Sequence, residues 1–107
     1  MSLLNSTLVR DAKPGVYDVT VRYYKECAPA NRQPYILVTM LIDGLLVDDR
    51  WYANRIPYIM HSLRRQYRMD YFDCTLSQLL EYARTHEFRI VLDYDPRYGR
   101  QIDYSID

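Results

Sequence analysis

The hydrophobic period of this chain changes twice, and that change limits its fold more than any other feature. Apolar residues alternate from Val16 to Tyr23, recur at helical spacing over residues 54–83, and alternate again from Phe88. Alternation indicates a half-buried strand, whereas apolar residues three and four apart indicate an amphipathic helix. The chain therefore predicts strands, then helices, then strands, within the 107 residues expected of one domain.

Three strands are predicted before the helices. In the first, Tyr17, Val19, Val21 and Tyr23 share the face expected to be buried. Residues 28–34, with two prolines, form a loop that leads into a central strand from Tyr35 to Ile42. Asp43-Gly44 predicts a tight hairpin, because a type I′ turn needs positive φ angles. The return strand runs from Leu45 to Tyr52.

Two helices are predicted next. Asn54 is the expected N-cap of the first, Pro57 fits its first turn, and arginines 64, 65 and 68 suit the negative end of its dipole. Its apolar stripe consists of Ile56, Ile59, Met60, Leu63 and Tyr67. The second begins at Thr75, where Gln78 completes a capping box. Its stripe consists of Leu76, Leu79, Leu80 and Ala83.

Two strands close the chain. The fourth places Phe88, Ile90, Leu92 and Tyr94 on one face, and residues 95–99 form a turn. The fifth places Ile102, Tyr104 and Ile106 on one face. We predict a mainly β protein in which residues 1–13 are an N-terminal arm and residues 14–107 are one domain. Five strands with helices between the third and fourth match an OB-fold-like antiparallel barrel. The alternative is an open antiparallel sheet with both helices on one face.

Several short motifs resemble those of a known group of proteins. They comprise Pro14-Gly15-Val16-Tyr17, Pro34-Tyr35-Ile36, Trp51-Tyr52 after its strand, Leu63-Arg64-Arg65-Gln66 and Tyr98-Gly99-Arg100-Gln101. Over most of residues 14–106 the chain resembles the small single-stranded-DNA-binding proteins of phages, plasmids and conjugative elements of Gram-positive bacteria. The resemblance implies an OB-type fold and binding of single-stranded DNA, with a role in replication or conjugation. The N-terminal residues lack the basic start and apolar stretch of a signal peptide, so we expect a cytoplasmic protein.

The residues expected to bind nucleic acid are aromatic rings for the bases and arginines for the phosphates. Tyr occurs 12 times, and all of the 14 basic residues except Lys13 and Lys25 are Arg. An OB barrel binds ligands on strands 2 and 3 and on the loops joining strands 1–2 and 4–5. The candidates in those regions are Tyr24, Arg32, Tyr35, Arg50, Trp51, Tyr52, Tyr94, Arg97, Tyr98 and Arg100. The alternative is that Tyr35 and Trp51 pack inside the barrel and that the arginines pair with neighbouring aspartates.

Other classes of function find less support in the sequence. The net charge is zero, which argues against a broadly basic binder but not against one basic face. Asp48 and Asp49 are adjacent on a strand, so their side chains point to opposite faces. With no nucleophile, phosphate-loop or metal-ligand motif, we predict no enzyme activity, no cofactor and no metal. Cys27 and Cys74 are expected to be free thiols, and no apolar run reaches membrane-spanning length.

The predicted partner is single-stranded DNA or RNA, bound with little dependence on sequence. Exposed strand edges also predict a homodimer or larger assembly. The rival hypothesis is a protein-interaction module, or an inhibitor of a host defence enzyme, that binds no nucleic acid. Tyrosine and arginine serve protein partners as well as they serve DNA.

Overall fold

The computed structural model describes residues 12–69 and 73–105. They form a mainly β fold with one antiparallel sheet of five strands and two helices, in the order predicted from the sequence. The strands are β1 (Gly15–Cys27), β2 (Tyr35–Ile42), β3 (Leu45–Tyr52), β4 (Phe88–Asp95) and β5 (Gly99–Asp103). Helices α1 (Ile56–Gln66) and α2 (Leu76–Ala83) follow β3.

The sheet is organised around β1, which is long enough to pair with two neighbours. Its first half pairs with β4, from Gly15 opposite Leu92 to Val19 opposite Phe88. Its second half pairs with β2, ending with Cys27 opposite Tyr35. The strand order is β3-β2-β1-β4-β5. Both helices cover one side of this sheet, where residues of every strand and helix form a common core.

The hairpin between β2 and β3 has the predicted geometry. Asp43 and Gly44 both adopt positive φ angles, 50° and 76°, as a type I′ turn requires. Ile42 lies opposite Leu45, and the register then continues without a shift to Tyr35 opposite Tyr52. Because the turn fixes the register, it also determines which side chains of β2 and β3 share a face.

The helix starts agree with the sequence in one case and differ in the other. At α2 the capping box is present, since Thr75 accepts from the Gln78 N–H and the Gln78 side chain accepts from the Thr75 N–H. At α1 the prediction of Asn54 as the N-cap is wrong. The N-cap is Arg55, whose backbone is already helical and whose side chain caps no amide of the helix. Its guanidinium bonds to β3 instead.

A β-bulge in β1 changes which tyrosine is buried. Val21 lies opposite Met40 and Tyr23 opposite Thr39, so Arg22 is the extra residue. The predicted alternation is therefore wrong beyond Val21, because a bulge shifts the phase of the strand by one residue. Tyr23 is 63% exposed, whereas Tyr24 packs against the core.

The two edge strands of the sheet, β3 and β5, face each other across a gap. Among the described residues no backbone ladder joins them, so the sheet is not closed into a barrel. Side chains bridge the gap: the Arg100 guanidinium donates to the Asp48 carbonyl, and Tyr104 bonds to Asp49. Ile106 and most of the predicted arm lie outside the described residues. Neither described helix has the length and apolar character needed to cross a membrane.

Candidate nucleic-acid interface

The side of β1, β2 and β3 turned away from the helices carries three of the ten candidate binding residues, Tyr35, Arg50 and Tyr52. We call it the outer face; where the three strands lie side by side it comprises Thr20, Tyr23, Lys25, Cys27, Tyr35, Leu37, Thr39, Leu41, Leu46, Asp48, Arg50 and Tyr52. The opposite side chains of the same strands, such as Val38 and Met40, are fully buried. Strand alternation therefore separates an apolar core from a mixed surface of tyrosine, leucine, polar and charged side chains.

Tyr35, Arg50 and Tyr52 form a compact cluster at one end of the outer face. The Tyr35 and Tyr52 rings are opposite each other, with centroids 5.4 Å apart and planes tilted by 53°. The Arg50 guanidinium lies over the Tyr35 ring, 5.0 Å from its centroid, in a cation–π contact. The Tyr52 hydroxyl, followed by the Tyr35 hydroxyl, raises the pKa of Arg50. Two rings and a cation on one exposed patch can contact a base and a phosphate together.

Three neighbours of this cluster were missed by the sequence analysis. Lys25 and Leu37 lie in line with Arg50 across the three strands, and Tyr23 lies in the next line of side chains. Lys25 and Tyr23 are exposed, and Leu37 is half-buried. The strand continues to Cys27, beyond the predicted end at Tyr23, and the bulge turns Tyr23 outward. The positions of Lys25, Leu37 and Tyr23 on the outer face depend on how β1 pairs with β2, which no local sequence pattern indicates.

Arg97 and Tyr98 project from the loop between β4 and β5. The Asp95 carboxylate accepts the Arg97 N–H at 2.7 Å and the Tyr98 N–H at 3.1 Å, which orders the loop. Tyr98 is 76% exposed, so its ring is accessible on this ordered turn. The Arg100 guanidinium, near the start of β5, reaches the Asp48 carbonyl in the middle of β3.

Three other candidates lie away from the outer face or take part in internal contacts. Tyr24 points to the helix side, where its hydroxyl donates to Glu81 of α2 and lowers the pKa of that carboxyl. Tyr94 is partly exposed, and its hydroxyl donates to the Ala12 carbonyl at 2.7 Å. Arg32 is exposed in the loop between β1 and β2. The bulge therefore places Tyr24 on the helix side of the sheet and not on the outer face.

The side chains of Trp51 and Arg100 make contacts within the protein. Trp51 is 0% exposed, so it cannot stack a base, and its inclusion among the binding residues is wrong. It faces the core because it lies between Arg50 and Tyr52 on the strand. The Arg100 guanidinium donates to the Asp48 carbonyl across the gap between β5 and β3. Arg100 and Asp48 are 52 residues apart, so no local sequence pattern predicted this contact.

A hydrogen-bond network lies on the helix side of β3, behind the outer face. The Trp51 Nε1–H donates to the Tyr104 hydroxyl at 2.9 Å, and that hydroxyl donates to the Asp49 carboxylate at 2.7 Å. Burial, followed by the charge of Asp49, raises the pKa of Tyr104 well above its usual value. Arg55 completes the network through an ion pair with Asp49 at 3.3 Å. Nothing in the spacing of these four residues predicted the network.

No motif or relative assigns a chemistry to this surface. Over residues 12–69 and 73–105, the structure contains no group of three His, Cys, Asp or Glu side chains that could hold a metal ion. Cys27 and Cys74 are both free and half-buried. Comparison of the chain with protein-family models, curated proteins and solved structures gives no match. The geometry of the outer face is therefore the basis for a functional hypothesis.

The buried position of Trp51 predicts a loss of stability when its indole is removed. Trp51→Phe should lower the free energy of unfolding by about 1–3 kcal/mol, because it reduces core packing and leaves the Tyr104 hydroxyl without a donor. Urea unfolding followed by circular dichroism measures the change. The matched control is Tyr58→Phe on the exposed side of α1, where about 0.5 kcal/mol or less is expected. Equal stability of the Trp51 and Tyr58 variants would contradict this role.

Proposed function

We propose that the protein binds single-stranded DNA with little dependence on sequence, through its outer face and the β4–β5 loop. The observation that carries the proposal is the cluster in which Arg50 lies over the Tyr35 ring beside Tyr52. Exposed rings on a sheet stack on bases of any type, and guanidinium groups pair with phosphates. Tyr98 and Arg97 repeat the combination of a ring and a cation on the β4–β5 loop.

The accessibility of the rings favours binding over packing. Each tyrosine of the cluster is half-buried by its neighbours on the sheet, so it is held by them while part of its surface stays accessible. A fixed ring loses little conformational entropy on binding, so stacking on it is worth about 1–3 kcal/mol per base. Tyr23 and Leu37 extend the same surface towards the middle of the sheet.

The charges on this surface are few but share one sign near the cluster. Lys25 and Arg50 lie in the same line of the outer face, and Arg97 lies on the loop. Asp48, the acidic residue of this face, accepts a hydrogen bond from Thr39 at 2.7 Å. Each phosphate neutralised on a single strand changes the log–log salt slope by about −0.7. Three cations therefore imply a slope near −2, which is shallow for a nucleic-acid binder.

The topology supports an OB-like architecture as part of this proposal. The order β3-β2-β1-β4-β5 would become a closed barrel through one further contact, between β3 and β5. The proposed interface occupies strands 2 and 3 and the β4–β5 loop, the surfaces on which OB folds bind oligonucleotides. The resemblance to single-strand binders of mobile elements of Gram-positive bacteria supports a role in replication or conjugation.

The second candidate function is a protein-interaction module, including self-association. Its support is Leu46, which is 60% exposed at the hairpin end of the outer face. An exposed leucine suits an apolar protein contact more than a phosphate backbone. This function predicts no retention of the protein on single-stranded DNA at low salt.

Replacing one ring of the cluster tests the proposed interface. Tyr52→Leu should weaken binding of a fluorescent oligothymidine by about 1–3 kcal/mol, because the stacking surface is lost. Fluorescence anisotropy at low salt measures the Kd, with unlabelled single-stranded DNA, duplex DNA and single-stranded RNA as competitors. Tyr58→Leu is the matched control, because Tyr58 is 75% exposed on α1 and should not contact the ligand.

Two results would contradict the proposal. Wild-type protein that leaves the oligonucleotide unbound at high concentration and low salt would favour the protein-interaction function. Equal losses for the Tyr52 and Tyr58 variants would move the binding surface elsewhere. Stronger competition by RNA than by unlabelled single-stranded DNA would retain the surface but change the ligand.

The loop arginine is expected to act on phosphate rather than on bases. Arg97→Ala should make the log–log salt slope of Kd shallower by about 0.7, the contribution of one single-strand phosphate. Arg84→Ala is the control, because Arg84 is exposed at the end of α2 and pairs with Glu81. An unchanged slope for the Arg97 variant would remove this residue from the interface.

A further inference from the structure

Arg55 lies behind the proposed binding cluster and contacts the backbone that carries it. Its main-chain N–H donates to the Tyr52 carbonyl at 2.9 Å, and its guanidinium donates to the Arg50 carbonyl, also at 2.9 Å. Both of these carbonyls belong to residues whose side chains form the cluster. The same guanidinium pairs with both oxygens of the Asp49 carboxylate, at 3.3 and 3.4 Å.

These contacts take the place of some of the hydrogen bonds that a second neighbouring strand would make with β3. The residues of β3 that pair with β2 use one edge of the strand, and the opposite edge has no backbone partner among the described residues. At that edge the carbonyls of Arg50 and Tyr52 are bound by Arg55, and the Asp48 carbonyl is bound by Arg100. An edge strand without such partners is free to twist or shift.

We infer that Arg55 is a positioning residue that sets the orientation of Arg50 and Tyr52 for nucleic-acid binding. The inference rests on the proposed function. Arg55 acts through the backbone of β3: by binding the carbonyls on both sides of Trp51, it fixes the direction in which the two neighbouring side chains leave the strand. It also joins β3 to the end of β5, because Asp49 accepts from Tyr104.

The shape of the side chain explains why this position uses arginine. A guanidinium is a planar fork that can bind a carboxylate and a carbonyl at the same time, whereas an ammonium is a compact point charge. The three acceptor atoms used by Arg55 all lie at the end of β3. Arg55→Lys therefore keeps the charge and removes the simultaneous contact with the carbonyl and the carboxylate.

The experiment compares Arg55→Lys with the wild type in two measurements. The first is Kd for oligothymidine at several salt concentrations, well below the melting temperature. We expect Kd to rise about tenfold, which lies within the range of coupling energies between residues in contact. The salt slope should stay unchanged, because Arg55 is not expected to bind a phosphate. The second is the proton NMR shift of the Arg50 side chain in free protein, where loss of the Tyr35 ring-current effect is expected. Arg84→Lys is the matched control and should change neither.

Double variants distinguish positioning from general destabilisation. In a Tyr52→Leu background the effect of Arg55→Lys on Kd should fall below twofold, whereas in a Tyr98→Ala background it should stay near tenfold. Equal effects in both backgrounds, or a salt slope shallower by about 0.7, would overturn the inference. If wild-type protein binds no nucleic acid, the proposed function fails, and the Arg50 shift still decides whether Arg55 positions this side chain. If Arg55→Lys does not fold, Asp49→Asn provides the same NMR test, because it removes the carboxylate charge that pairs with the Arg55 guanidinium.

Discussion

The structure depends on how the open edges of β3 and β5 are held together without a backbone ladder. Unpaired strand edges expose hydrogen-bonding groups that proteins must cover. Here the Tyr104 hydroxyl, directly after β5, links Trp51 and Asp49 of β3, and Arg55 and Arg100 bind carbonyls along the β3 edge. Buried polar groups are costly when unpaired, so these contacts stabilise the fold only as a set. The network therefore provides a side-chain substitute for the fifth strand-strand contact, the one that would close the barrel.

The same arrangement determines what the other side of the sheet can do. Because β3 alternates, anchoring Asp49 and Trp51 on the helix side directs Arg50 and Tyr52 outward. The hairpin register places Tyr52 opposite Tyr35, which brings the two rings and the guanidinium together. The candidate binding surface is thus a consequence of the core packing behind it. A ligand that stacks on the rings would meet a surface already ordered before binding.

The sequence predicted the features that depend on local chemistry. The positive φ angles of Asp43-Gly44 and the reciprocal bonds of the Thr75 capping box are short-range effects, and both are present. The bulge at Arg22 depends on pairing with β2, so the burial of Tyr23 and Tyr24 was predicted the wrong way round. The roles of Trp51 and Tyr104 come from a contact between residues 53 positions apart, which no periodicity encodes. Of the proposed site, the residue types and regions were predictable, but Lys25 and Arg55 were not.

The central claim is that single-stranded DNA binds on the outer face beside the β4–β5 loop. Backbone amide NMR shifts, recorded while unlabelled oligothymidine is added to isotope-labelled protein, test it most directly. If the outer face binds the ligand, the largest changes fall on β2 and β3 near Tyr35 and Tyr52 and on the loop around Tyr98, with little change on the exposed side of α1 around Tyr58. Changes centred on α1, or none at saturating oligonucleotide, would contradict it.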